Sequence, residues 1–128
     1  MWNIELTKSD KRLCRELIHV GLERECRKFV EDVQEISSKP IPLTELNAPY
    51  QEENGFSVEG PWHKQYIKIF NKVRTFDKHV VRCYDGKSGS RCIEPVLSLY
   101  CDDVITDDDI NRLSENVVTF LKRYKQDL

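Results

Sequence analysis

Apolar residues recur along this chain at helical spacing, and strand-like alternation is confined to Trp2, Ile4 and Leu6. Leu13, Leu17 and Val20 form one row, and Cys14, Ile18 and Leu22 the next, which makes a broad apolar face. Beyond Gly21 the row narrows to Leu22, Cys26, Phe29, Val33 and Ile36, in alternating steps of four and three. The first half of this helix is expected at the centre of the core, and the second half as one side of a helix pair. Thr7 or Ser9 is its expected cap, Asp10 suits its first turn, and its end is placed near Ile36. Charges four residues apart support it: Arg12 with Glu16, Glu23 with Arg27, Arg27 with Glu31, and Lys28 with Asp32. Gly21 marks a close approach or a mild bend, because glycine inside a helix costs about 1 kcal/mol against alanine.

Residues 37–60 break the pattern with Pro40, Pro42, Pro49, Gly55 and Gly60. This is a long connection for a small domain, with one helical turn expected at 44–47. Ile41, Leu43, Leu46, Tyr50, Phe56 and Val58 are available to pin it across the fold. The connection can span a whole helix, so the second helix has no required direction.

Pro61 suits the first position of a second helix. Its stripe is Trp62, Tyr66, Ile69, Phe70, Val73, Phe76, Val80, Cys83 and Tyr84, the most aromatic part of the chain, and it reads as a core helix. Gly86 is placed for a left-handed cap. A short third helix follows, with Ser90 as cap, Pro95 in its first turn, and Ile93, Val96, Leu97, Tyr100 and Val104 inward. Thr106 caps a last segment that opens on Asp107, Asp108 and Asp109, where carboxylates meet the positive end of a helix. Ile110, Leu113, Val117, Leu121, Tyr124 and Leu128 are its stripe. Ser114 and Glu115 offer a second cap that would split it. The expectation is an all-α fold: an irregular four-helix bundle with a long connection between the first and second helices, in a single domain over residues 1–128.

Composition narrows the partners. The chain has 128 residues, 39% hydrophobic and 33% charged, with a net charge of -2 and acids and bases interleaved. That places nucleic-acid or antitoxin-like regulation last among the readings, since phosphate binders carry a basic stripe. No run of about 18 apolar residues exists, so no membrane span is expected. The start lacks the basic-then-apolar pattern of a signal peptide, and cytoplasm is the expected location. Five cysteines without a C-x-x-C pair read as free thiols.

The densest mixture of acid, base and hydroxyl groups runs from Phe76 to Arg91. Asp77 falls near the apolar face of its helix, and Arg24 is the matching oddity beside Leu17 and Val20. The two are candidates for a structural ion pair, because an unpaired buried charge is costly. His79 is a boundary residue that could act as a base if a carboxylate orients it. His79, Cys83 and Cys92 lack the paired spacings of a zinc site, so no metal is assigned. The turn 85–91 is the ligand candidate: Gly86 and Gly89 allow close approach, and Lys87, Ser88, Ser90 and Arg91 can meet an anion, with His79 and Arg82 in support. Gly86-Lys87-Ser88 is not a P-loop, since the first glycine would fall at Val81 and no strand precedes it. The plainer reading of this turn is a glycine cap followed by a serine cap. Asp102, Asp103 and Asp107–Asp109 lack the alternation and central glycine of a calcium loop. No cofactor motif is present, and no catalytic residue is assigned.

Phe76-Asp77-Lys78-His79, Tyr84-Asp85-Gly86, Gly89-Ser90, the acid-rich capped last helix, and Lys8-Ser9-Asp10-Lys11 with Gly21-Leu22 resemble a group of small uncharacterised proteins of Bacteroidetes bacteria. The resemblance covers most of the chain outside residues 37–60. It implies a compact helical fold and no mechanism.

Three functions follow in order. The first is a non-catalytic interaction or structural module, with a protein partner or self-association through the second half of the first helix. The second is a binding protein or enzyme for an anionic small molecule at the 85–91 turn. The third is the nucleic-acid or antitoxin-like regulator.

Overall fold

The computed structural model describes residues 4–38, 52–53, 56–57, 60–87, 89 and 91–128. In chain order these form α1 (Lys8–Ser38), β1 (Glu52–Glu53), β2 (Phe56–Ser57), α2 (Pro61–Cys83), α3 (Ile93–Cys101), α4 (Asp107–Ile110) and α5 (Glu115–Gln126). Among the described residues the fold is all-α apart from one antiparallel pair of two-residue strands, with Glu52 opposite Ser57 and Glu53 opposite Phe56. Among the described residues no helix is long and apolar enough to cross a membrane. Trp2, the turn expected at 44–47, and Ile41, Leu43, Leu46, Tyr50 and Val58 lie outside the described residues, as does the side chain of Phe56.

The packing divides into two compact units. One comprises Met1–Arg27 and Val80–Leu128, and the other Lys28–His79. Both α1 and α2 pass from one unit into the other.

In the first unit, Thr7 rather than Ser9 starts α1. The Asp10 amide donates to Thr7 Oγ1 at 3.0 Å and the Thr7 amide donates back to Asp10 Oδ2 at 3.1 Å. This reciprocal box satisfies two of the amides that a helix start leaves open. The broad face expected on the first half of α1 is buried at Leu13, Cys14, Leu17 and Ile18. It packs into one core with Val96 and Leu97 of α3 and with Ile105, Ile110, Val117 and Leu121. Gly21 is a close approach: a Cβ there would lie 2.8 Å from Leu99 Cδ1.

The last segment does split. Thr106 caps α4, with its amide 2.6 Å from Asp109 Oδ2, and Ser114 caps α5. At the far end of the stripe Tyr124 and Leu128 are exposed. The end of α3 closes in a Schellman motif, with the Asp103 amide on Tyr100 O at 3.2 Å and the Val104 amide on Leu99 O at 2.9 Å. Asp103 holds the left-handed position of that motif at φ 61°, where glycine is the usual occupant.

In the second unit, the end of α1 and the start of α2 are paired. The rings of Phe29 and Phe76 stack at 4.3 Å with 7° between their planes. Gln65 Nε2 donates to the carbonyl of Ile36 at 2.6 Å. Residue numbers fall along one helix as they rise along the other, so the pair is antiparallel, a direction that spacing alone left open. The seam expected on α1 after Gly21 is therefore engaged by α2 at Phe29.

The expected role of α2 as a core helix is overturned. None of its residues is buried. Its wide stripe divides in two. Ile69, Phe76, Val80 and Cys83 are half-buried, whereas Trp62, Tyr66, Phe70 and Val73 are 67%, 59%, 48% and 45% exposed. Periodicity records how apolar a helix is, and a stripe this wide has more apolar surface than its neighbours cover.

Candidate functional site

The 85–91 turn forms as the glycine positions require. Gly86 adopts φ 70°, a conformation that side-chain-bearing residues avoid, and ends the run of α2. Beside it lies an open cavity of about 320 Å³ lined by Gly86, Lys87, Gly89, Arg91, Glu94 and Pro95. Lys87 is exposed at its rim. Arg91 turns toward Glu94, one helical turn on, with 3.0 Å between guanidinium and carboxylate. That contact places a negative charge in the cavity and draws one of its two cations away from any anion. Ser88 and Ser90 lie outside the described residues; the described cap of α3 is Cys92.

Neither His79 nor Arg82 is among the residues that line this cavity. His79 belongs to the second unit, where its ring faces Phe76 at 6.2 Å. Arg82 is an exposed residue of α2. Asp77 is exposed, and Arg24 is tied elsewhere. Arg24 grips Asp109 with both guanidinium nitrogens, at 2.6 and 3.0 Å, and donates to the carbonyl of Val104 at 3.0 Å. The expected Asp77–Arg24 pair is thus replaced by an Arg24–Asp109 fork, the bidentate geometry that guanidinium and carboxylate favour. The Arg24 side chain holds the Asp109 carboxyl down at about 2, against burial that acts the other way.

Spacing did not disclose two further polar clusters in the first unit. The first centres on Asp10, only 2% exposed. Its Oδ1 accepts from the Ser114 amide at 2.8 Å, and its Oδ2 from the Ser114 hydroxyl at 2.7 Å. One carboxylate therefore caps both α1 and α5. Burial pushes this carboxyl up, but the hydrogen bonds from Ser114 and Thr7 outweigh it and hold the group below its ordinary value. The acid at the start of α1 was legible as a first-turn residue; its second partner, 104 residues away, was not.

The second cluster surrounds Tyr100. Its hydroxyl donates to Asp107 Oδ1 at 2.5 Å, and the Lys125 ammonium sits 4.4 Å from its ring centroid while pairing with Asp103 at 2.5 Å. Burial, with the Asp107 carboxylate beside it, pushes the Tyr100 phenol up to about 12. Burial likewise lifts the Cys14 thiol to about 12, with Cys92 next to it adding to the effect. Both groups therefore hold their protons at neutral pH, which suits packing rather than proton transfer or nucleophilic attack. Among the described residues no group of three or more His, Cys, Asp or Glu could hold a metal ion.

Among the described residues α2 also exposes a group of large apolar side chains. Trp62, Tyr66, Phe70 and Val73 lie on one side of α2 at steps of four, four and three, with the Tyr66 and Phe70 rings 6.3 Å apart. No protein-family model, no curated protein and no solved structure matches the chain.

Proposed function

We propose that this chain is a non-catalytic interaction module that associates through the outer face of α2. One observation carries the reading: four large apolar side chains form a continuous row and are each about half exposed or more, from 45% to 67%. Contiguous apolar surface of this kind marks interaction sites, whereas single exposed apolar residues do not. The non-catalytic half of the reading is supported by the polar groups of the first unit. Asp10, Asp107 and Asp109 are each taken up by a neighbour within the fold.

The occupant we assign to the row is a second copy of this chain. The row is self-complementary about Phe70. In an antiparallel two-fold pairing about that residue, Asp77 of one copy falls opposite His63 of the other, an acid against an imidazole. The surface moves from the second half of α1, where self-association was expected, to α2, because Phe29 is engaged by Phe76. The irregular four-helix bundle, with α2 as its second helix and α4 and α5 together as its last, belongs to the same proposal, supported by the core of the first unit and by Val80 and Cys83 of α2 packed against it. So does a reducing, cytoplasmic setting, supported by five cysteines none of which is in a disulfide.

Light scattering and sedimentation across a concentration range test it. Wild type is expected to dimerise. Phe70→Glu should weaken the dimer by about tenfold or more without unfolding the chain, because a central aromatic is lost. Asp77→Lys should weaken it, and combining that change with His63→Asp should restore part of the loss. A concentration-independent monomer would end the reading.

The cavity beside Gly86 favours a second reading, an anionic small molecule held by Lys87 and Arg91. Phosphate or a dicarboxylate should then raise the melting temperature of wild type and leave the Lys87→Ala, Arg91→Ala double variant unchanged. No shift in wild type would remove it.

A further inference from the structure

Charge is not interleaved along α2. This helix holds six of the chain's 20 Lys and Arg but one of its 22 Asp and Glu. In its second-unit part, Lys64, Lys68, Asn71, Thr75 and Lys78 follow one another at steps of four, three, four and three, and all five are exposed. Residues at these steps share one line along a helix. No side-chain hydrogen bond or ion pair ties the three lysines to another described residue.

At about 100° per residue, three sides of α2 lie roughly a third of a turn apart. Phe76 is on the side that stacks on Phe29 of α1. Phe70 is on the side of the exposed apolar row. The lysine line takes the third side, so pairing through the row leaves it open.

We propose that this lysine line is a docking surface for an anionic lipid bilayer, which it meets at the headgroups. Attraction between exposed charges fades beyond about 10 Å at ordinary salt, so the local line decides and not the net charge of -2. Lysine offers a compact hydrated charge without the fork that arginine presents to a phosphate or a base edge. The line also holds no aromatic ring for a base to stack on. It therefore suits diffuse attraction to lipids that can gather beneath it better than contact with a nucleic acid in a fixed register.

Self-association strengthens the surface. A two-fold axis perpendicular to the plane of the paired α2 helices sets both lines on the same side of the pair. This doubling, which rests on the self-association reading, brings the cluster to the size that anionic leaflets attract.

The test is to sediment the full chain with vesicles of phosphatidylcholine alone and with vesicles containing about 30% phosphatidylserine, at about 50 mM salt. Wild type is expected to sediment with the phosphatidylserine vesicles only, and to be released at about 500 mM salt. The Lys64→Glu, Lys68→Glu, Lys78→Glu variant should bind at least about tenfold more weakly. The same three changes to Gln should also weaken binding, and they decide the matter if the Glu variant does not fold. A control with the same change in net charge, Lys8→Glu, Lys11→Glu, Lys122→Glu, should keep most of the binding. The proposal is overturned if wild type ignores the phosphatidylserine vesicles, binds phosphatidylcholine equally well, or prefers a mixed-sequence oligonucleotide to the vesicles. It is also overturned if the control loses as much as the α2 variant. Sedimentation without vesicles reads self-association separately. A monomer that still binds the charged vesicles removes only the dimer, and a dimer that ignores them removes only the docking surface.

Discussion

Asp10 and Ser114 are joined twice, through the Ser114 amide at 2.8 Å and its hydroxyl at 2.7 Å, so the starts of α1 and α5 are held by one carboxylate. Removing that carboxylate leaves the amide and hydroxyl of half-buried Ser114, and the amide of exposed Thr7, without their acceptor. Asp10→Ala is expected to cost about 2–4 kcal/mol in urea unfolding, more than a single lost cap. Asp10→Asn keeps an acceptor and should cost about half as much. Because the folded carboxyl titrates below its ordinary value of 3.8, the unfolded chain takes up the proton first. The stabilisation is complete above that value and fades as pH falls through the folded one. Equal unfolding midpoints for wild type and Asp10→Ala at neutral pH would contradict this role.

The Arg24–Asp109 fork makes a second pH-dependent contribution. Asp109 moves from 3.8 down to about 2 when folded. Its pair therefore stabilises fully above about pH 4 and is lost as pH falls toward 2. Arg24 is 45% exposed, so solvent screening reduces the pair to roughly 1 kcal/mol. Arg24→Ala is expected to be less stable than wild type by about that amount at pH 7. Melting curves recorded down to pH 2 should show the two proteins converging.

Gly21 faces the flexible end of a buried leucine. An alanine gains about 1 kcal/mol of helix propensity. Its Cβ, at 2.8 Å from Leu99 Cδ1 and 3.1 Å from Cδ2, must displace the whole isobutyl group. Overpacking of this kind costs about 1–3 kcal/mol, so Gly21→Ala should be net destabilising by about 1 kcal/mol. Adding Leu99→Val to Gly21→Ala should recover part of the loss. A stability gain for Gly21→Ala alone would show that Leu99 moves freely.

Asp103 occupies a left-handed position at the end of α3 without being glycine. Its ion pair with Lys125 is on an acid side chain that is 81% exposed and offsets little of that strain. Asp103→Gly is expected to gain about 0.5 kcal/mol, and Asp103→Ala to lose about as much. Thermal unfolding of the two variants side by side decides it, and the reverse order would place the value of Asp103 in its charge.

Much of this arrangement was legible in the residues. The start of α1 followed from Thr7 and Asp10, the break at Ser114–Glu115 from a second cap, and the close approach at Gly21 from a glycine that helix propensity disfavours. These signals are local, since a cap or a glycine acts within one turn of itself. Partner choice is not local. Arg24 was recognisable as a cation on an apolar face, but spacing could not rank Asp109, 85 residues away, above Asp77. The stripe on α2 was read from apolarity alone. Whether Tyr66 and Phe70 meet a neighbour depends on what the fold places beside them, and that is set by the pairing of Phe29 with Phe76 on the adjacent face.

The division of the chain sets an order of events at the ribosome. Residues 28–79 are contiguous, whereas the other unit draws on residues 1–27 and on residues 80–128. The unit that contains the earlier-made residues 1–27 is therefore completed after the other. Leu13, Leu17 and Ile18 emerge early and wait, with their apolar face uncovered, until Val96, Val117 and Leu121 have been translated. That interval is when the nascent chain is most exposed to aggregation and has most use for a chaperone. Slowing translation between residues 30 and 95 would lengthen it.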